Sequence, residues 1–175
     1  MLIVVGDVAG HGMEAGMLAT LIVGAIRTAA EFTGDPEGIL ALLNKRLLGR
    51  GLATCLALRV EKEGSAALAN AGHLPPYLNG QELAIEGALP LGAIAGIDFP
   101  VLHFQLAPSD TLMLMTDGVA EAQNAAGQLF GFDRVGEMLR KGVAASALAT
   151  AAQEFGQEDD ITVLTLSYAG VPASA

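Results

Sequence analysis

Three acidic positions in the chain share one setting, each where an apolar run meets a loop. Asp7 closes LIVVGD, Asp117 closes TLMLMTD, and Asp159 with Asp160 opens DDITVLTL. A carboxylate at a strand end is held by the sheet yet reaches solvent, so several such groups can converge on one cleft. Unpaired carboxylates in one cleft repel one another, and a cation between them removes the repulsion. Oxygen-only ligands select hard ions such as Mg²⁺ or Mn²⁺. Such ions keep waters and lower their pKa, so the set is suited to metal-assisted hydrolysis.

Each residue also has a plainer reading. Taken alone, Asp117-Gly118 is a turn, and Asp159-Asp160 is a turn ahead of a strand. The loop VGDVAGHG, Val5 to Gly12, is either a strand-to-helix turn whose glycines supply positive φ, or the opening of a helix whose free backbone N–H groups hold an anion. His73 in AGHLPPYL reads as a loop histidine bonded to a backbone carbonyl. His103 in VLHFQL and Cys55 read as structural, and Glu121 as a surface residue near Asp117.

The elements that must position these groups follow from periodicity and punctuation. Leu2 to Val5 is a β-branched apolar run stopped by Gly6, read as a strand buried on both faces. Met13 to Phe32 favours helix, with Gly34-Asp35-Pro36 as its stop. Asp35 caps a second helix with Pro36 at its first position, running to Leu48 with Ile39, Leu40, Leu43 and Leu47 inward. Ala53 to Val60 and Ala66 to Ala71 form a hairpin around Glu63-Gly64-Ser65. Short strands follow at Glu82 to Ile85, Val101 to Gln105 and Thr111 to Thr116. Helices at Asp133 to Lys141 and Ser146 to Phe155 then precede a last strand, Ile161 to Ser167. Strands flanked by helices predict an α+β domain of antiparallel sheet covered by helices.

Composition narrows the function classes. The 175 residues fit a single domain, read as residues 1–168 with a frayed tail at 169–175. A net charge of −10 argues against a nucleic-acid partner and for bound cations. Cys55 is the only cysteine, which excludes an internal disulfide and fits a reducing, cytoplasmic setting. The uncharged apolar run Ala15 to Ile26 has 12 residues, short of the roughly 20 needed to cross a bilayer, and reads as a buried helix.

Six segments taken together, VVGDVAGHG, NAGHLPPYL, LPLGAIAGI, FQLAPSDTLMLMTDGVAEAQN, GQLFGFDRV and EDDITVLTL, resemble the metal-dependent (PPM, type 2C) protein serine/threonine phosphatases, in their bacterial SpoIIE-like branch. The resemblance implies an αββα sandwich of two antiparallel sheets flanked by helices. It also implies a phosphoserine/phosphothreonine phosphatase using two Mn²⁺ or Mg²⁺ ions bridged by an attacking water. It places metal ligation on Asp7, the Val8 carbonyl, Asp117, Asp159 and, at the adjacent position, Asp160. His11 matches a general acid that protonates the leaving oxygen. Substrates in this branch are phosphorylated anti-anti-sigma proteins of the STAS type. Relatives also carry an acidic strand upstream of the GDVAGHG loop, whereas Met1 stands just ahead of Asp7. The expectation is therefore an N-terminally truncated domain, with one metal site incomplete and an upstream sensor domain or a homodimer partner. The alternative is a non-catalytic phosphatase-like module that binds and switches a partner protein.

Overall fold

A computed structural model describes residues 1–156 and 160–170. In chain order the elements are β1 (Leu2–Val8), α1 (Gly12–Phe32), α2 (Pro36–Leu47), β2 (Ala53–Val60), β3 (Ser65–Ala71), β4 (Tyr77–Leu78), β5 (Gln81–Glu82), β6 (Val101–Gln105), β7 (Thr111–Met115), α3 (Gly118–Glu121), α4 (Phe132–Arg140), α5 (Ala145–Phe155) and β8 (Val163–Ser167). They fall into two compact units: Met1–His73 with Ile85–Leu106, and Leu74–Ala84 with Ala107–Gly170. Each unit contains one antiparallel four-stranded sheet and its own helices, the α+β class with two antiparallel sheets expected from the sequence.

In the first unit the sheet order is β1-β2-β3-β6. The β1–β2 register runs from Leu2 opposite Arg59 to Val8 opposite Ala53. Gly6 does not stop β1. It lies so close to β2 that a Cβ there would come 2.6 Å from the Thr54 carbonyl oxygen, so glycine is what lets the strand continue to Val8. The strand is also not buried on both faces: at the sheet edge only Val5 is buried.

Asp35 caps α2 as expected, its Oδ2 accepting the Gly38 N–H at 3.0 Å. Ile39, Leu40, Leu43 and Leu47 are fully buried, each contributing about 1.5–3 kcal/mol of apolar burial. They pack against a sheet face of Ala53, Cys55, Ala57, Ala69 and Ala71, small residues that admit the helix closely. Asn44, buried on the same helix, donates to the Ile94 carbonyl at 2.9 Å and accepts the Gly92 N–H at 2.7 Å, pinning the LPLGAIAGI loop.

The α1 helix departs from the buried helix expected. Only Leu18 and Ala29 are buried, while Met13, Met17, Val23 and Phe32 are exposed. Leu21, Ile22, Ala25 and Ile26 are partly buried against the core of this unit, while apolar residues also continue around the rest of the helix, where they are exposed. By length and composition α1 is also long and apolar enough to cross a membrane, a test that core helices pass as well. A largely apolar cavity of about 190 Å³ is lined by this helix and the neighbouring strands, among them Val4, Asp7, Ile22, Ile26 and Cys55.

In the second unit the sheet order is β5-β4-β7-β8. Met113 and Met115 of β7 pack with Val119, Val135, Leu139 and Leu148 of the helices. Arg134 lies 5.0 Å from the Phe130 ring centre and 4.6 Å from that of Phe155, two rings that meet edge to face at 5.5 Å. The strand expected at Glu82 to Ile85 is replaced by a short hairpin, β4 to β5, across Asn79 (φ 51°) and Gly80 (φ 78°). An Asn-Gly pair suits positive φ at both positions, the signal for a tight hairpin. The Asn79 side chain also donates to Asp110 Oδ1 at 2.7 Å and accepts the Thr111 N–H at 2.9 Å. With the Ala107 N–H, that bond from Asn79 holds the Asp110 carboxyl below its ordinary pKa. Of the tail expected to fray, residues 171–175 lie outside the described residues.

Candidate metal and phosphate site

On β1 the residues expected to act fall on one short path. Asp7 is exposed, and its Oδ1 accepts the Val8 N–H at 2.9 Å. Val8 ends the strand, and the Ala9 N–H donates to the Leu52 carbonyl at 3.0 Å, which fixes the exit of the loop. Gly10 (φ 97°) and Gly12 (φ 79°) flank His11, a backbone conformation that suits glycine and sets His11 in extended geometry at the start of α1. The His11 side chain makes no capping bond to the helix and is exposed, so its imidazole is available to a ligand.

In the second unit, Asp117 stands at the N-terminal cap of α3, with its side chain making no cap bond. Its own carbonyl accepts the Glu121 N–H at 2.9 Å, so Glu121 serves the helix and its side chain is exposed. Thr116 and Thr162 are joined twice at 3.0 Å, which brings the chain on either side, Asp117 and Asp160, to one end of the β7–β8 pair. Asp160 is exposed, and Asp159 lies outside the described residues. The sequence-derived ligands thus divide between the units, with Asp7, Val8 and His11 in the first and Asp117 and Asp160 in the second.

Among the described residues no three His, Cys, Asp or Glu side chains gather closely enough to hold a metal. The donors expected here are carboxylate and carbonyl oxygens, a set that fits a hard divalent cation and no soft metal.

Cys55 is buried, and burial pushes its thiol up to about 12, which removes it as a nucleophile near neutral pH. His103 is exposed on β6 opposite Ala67. His73 differs from expectation: its ring Nδ1 lies 2.9 Å from the Thr54 hydroxyl, while its backbone, not its ring, makes the loop bonds, to Asn70. Thr54 and Asn70 were not singled out from the sequence. A threonine inside the alternating strand ATCLALRV carries no local mark, whereas the Asn at the head of NAGH is a visible turn former.

The chain matches the family model described as Stage II sporulation protein E (SpoIIE) over residues 1–169. Among solved structures, the SiaA-PP2C domain of Pseudomonas aeruginosa is similar at 28% identity and a TM-score of 0.81, over 95% of this chain and 75% of that one. A structure of the RsbU and RsbW domains of a Mycobacterium tuberculosis protein is similar at 26% identity and 0.76, over 98% of this chain and 52% of that one. The PP2C phosphatase domain of SpoIIE from Bacillus subtilis, with a fragment of its regulatory domain, shares the fold at 19% identity and 0.75, over 94% of this chain and 53% of that one. The chain thus spans about half the length of the latter two.

Proposed function

This chain belongs to the SpoIIE family of PP2C-type phosphatase domains, and we propose that it hydrolyses phosphoserine or phosphothreonine on a protein substrate with divalent metal assistance. The observation that carries this reading is the family match over residues 1–169, which runs through every motif that bears a candidate ligand.

Asp7, the Val8 carbonyl, Asp117, Asp159 and Asp160 are assigned to metal ligation. Mn²⁺ or Mg²⁺, when bound to such oxygen donors, supplies electrostatic stabilisation of the phosphoryl group and activation of water. Asp7 fits this role because its outward carboxylate is already oriented by the Val8 N–H. His11 is assigned as the general acid that gives its proton to the departing serine or threonine oxygen. Its exposed ring, unused as a helix cap, supports that assignment. No covalent phosphoenzyme is invoked.

The substrate proposed is a phosphorylated regulator of the anti-anti-sigma, STAS type. The similarity to a protein that carries RsbU and RsbW domains supports a place in that kind of signalling. Hydrolysis of p-nitrophenyl phosphate with added Mn²⁺ tests the enzymatic reading, with Asp117→Asn as the control. A loss of at least about a hundredfold is expected on removing a metal-ligating carboxylate. Equal activity in Asp117→Asn refutes the assignment. Binding of a partner with no Mn²⁺-dependent hydrolysis favours the non-catalytic module instead.

A further inference from the structure

Thr54 faces Asp7 directly across the β1–β2 ladder. Opposed residues of an antiparallel pair project from the same face, their Cβ atoms about 4.5–5.5 Å apart, so the threonine hydroxyl and the aspartate carboxylate are same-face neighbours. The hydroxyl is itself held, with Oγ1 at 2.9 Å from Nδ1 of His73. His73 is buried at 7% exposure and fixed in turn by the buried Asn70. The Asn70 side-chain carbonyl accepts the His73 N–H at 2.8 Å, and its amide group donates to the His73 carbonyl at 2.8 Å. Those two bonds to the His73 backbone close the turn after β3. The reach of the ring back to β2 is additional to it.

We propose that His73 is a positioning residue for Asp7, acting through Thr54: Nδ1–H of His73 donates to Thr54 Oγ1, and the Thr54 hydroxyl proton is thereby left for the Asp7 side of the strand pair. A hydroxyl carries one proton, so a threonine that donated it to Nδ1 would have none for the carboxylate. The proposal therefore specifies the state of the ring. Asp7 Oδ1 already accepts from Val8, and a second donor from β2 sets the plane of the carboxylate and with it the direction of its lone pairs. Partners that orient a metal ligand in this way are typically worth about 10–100-fold in metal affinity. The proposal rests on the reading of Asp7 as a metal ligand.

Two measurements on the whole chain test it. Nitrogen-15 NMR of the His73 side chain is expected to find a proton on Nδ1, and a proton on Nε2 alone overturns the proposal. Calorimetric titration with Mn²⁺ is expected to show binding weakened about tenfold in Thr54→Val, which keeps the shape and removes the hydroxyl. Thr54→Ser retains the hydroxyl, and His73→Asn presents an amide near the place of Nδ1. Both are expected to stay within about threefold of the parent, and Thr54→Val combined with His73→Leu to bind no more weakly than Thr54→Val alone. Thermal melting of each variant confirms that affinity is read on folded protein. Parent-like Mn²⁺ binding by Thr54→Val overturns this proposal and leaves the metal reading intact, whereas a parent that binds no Mn²⁺ overturns both. Where Thr54→Val does not fold, the NMR result on the unaltered protein decides.

Discussion

Thr116 and Thr162 are joined by two hydrogen bonds, the Thr116 N–H to the Thr162 carbonyl and the Thr162 N–H to the Thr116 hydroxyl, both at 3.0 Å. The side-chain bond fastens the end of β7, where Asp117 begins α3, to the segment that follows Asp160. Thr116→Val removes it while keeping the buried volume. The expected cost is about 1 kcal/mol, read from urea denaturation, and Thr116→Ser is expected to recover most of it. A valine variant as stable as the parent would show that the backbone bond alone fixes this end of the sheet.

Gly6 occupies a position without room for a side chain. The Cβ of Gly6→Ala would stand 2.6 Å from a backbone oxygen of β2, which cannot turn aside as a flexible side chain can. Either β1 shifts outward or the ladder opens, and a loss of about 1–3 kcal/mol is expected. Because Asp7 follows directly, Mn²⁺ affinity is expected to fall along with stability. An alanine variant with unchanged denaturation midpoint would refute the close approach.

Asp35→Ala removes the acceptor for the Gly38 N–H. The first turn of α2 then loses its cap, at an expected cost of about 1 kcal/mol, with Asp35→Asn near the parent. Because α2 carries four fully buried side chains, the loss should appear in global melting rather than in local fraying alone.

The Cys55 thiol gives a pH dependence of defined sign. Its folded pKa, raised by burial from 9.0 to about 12, exceeds the unfolded one. Below the unfolded value both states hold the proton and the contribution to stability is complete. As pH rises from 9.0 towards about 12, only the folded state keeps the proton, so unfolding becomes progressively easier. Denaturant midpoints are expected to decline over that window in the parent and to decline less in Cys55→Ala. Iodoacetamide is expected to label Cys55 only on unfolding.

Much of this was legible in the sequence where the deciding interactions are local. Asp35-Pro36 followed by Ile39, Leu40, Leu43 and Leu47 spells out a capped helix and its buried face within a dozen positions, and α2 is observed as read. The loop GDVAGHG likewise announces a strand, a glycine-lined turn and a helix start. What escaped reading depends on distant partners. Gly6 looked like a strand end because its requirement, the Thr54 carbonyl, belongs to another strand. The ring of His73 finds its partner 19 residues earlier in the chain, across the sheet. The burial of α1 was overestimated because apolar composition does not say whether a surface stands opposite to receive it. The β4–β5 hairpin was missed although Asn79-Gly80 advertised it, because two-residue strands carry no periodicity to detect.

The alanine face of the first unit also inverts the usual pattern of mutational vulnerability. Core positions are ordinarily injured by trimming, which leaves a hole. At Ala53, Ala57, Ala69 and Ala71, each at most 2% exposed, little remains to trim, and α2 rests where a larger residue would have to grow. This surface resists addition: a methyl group inserted there acts as a wedge between helix and sheet.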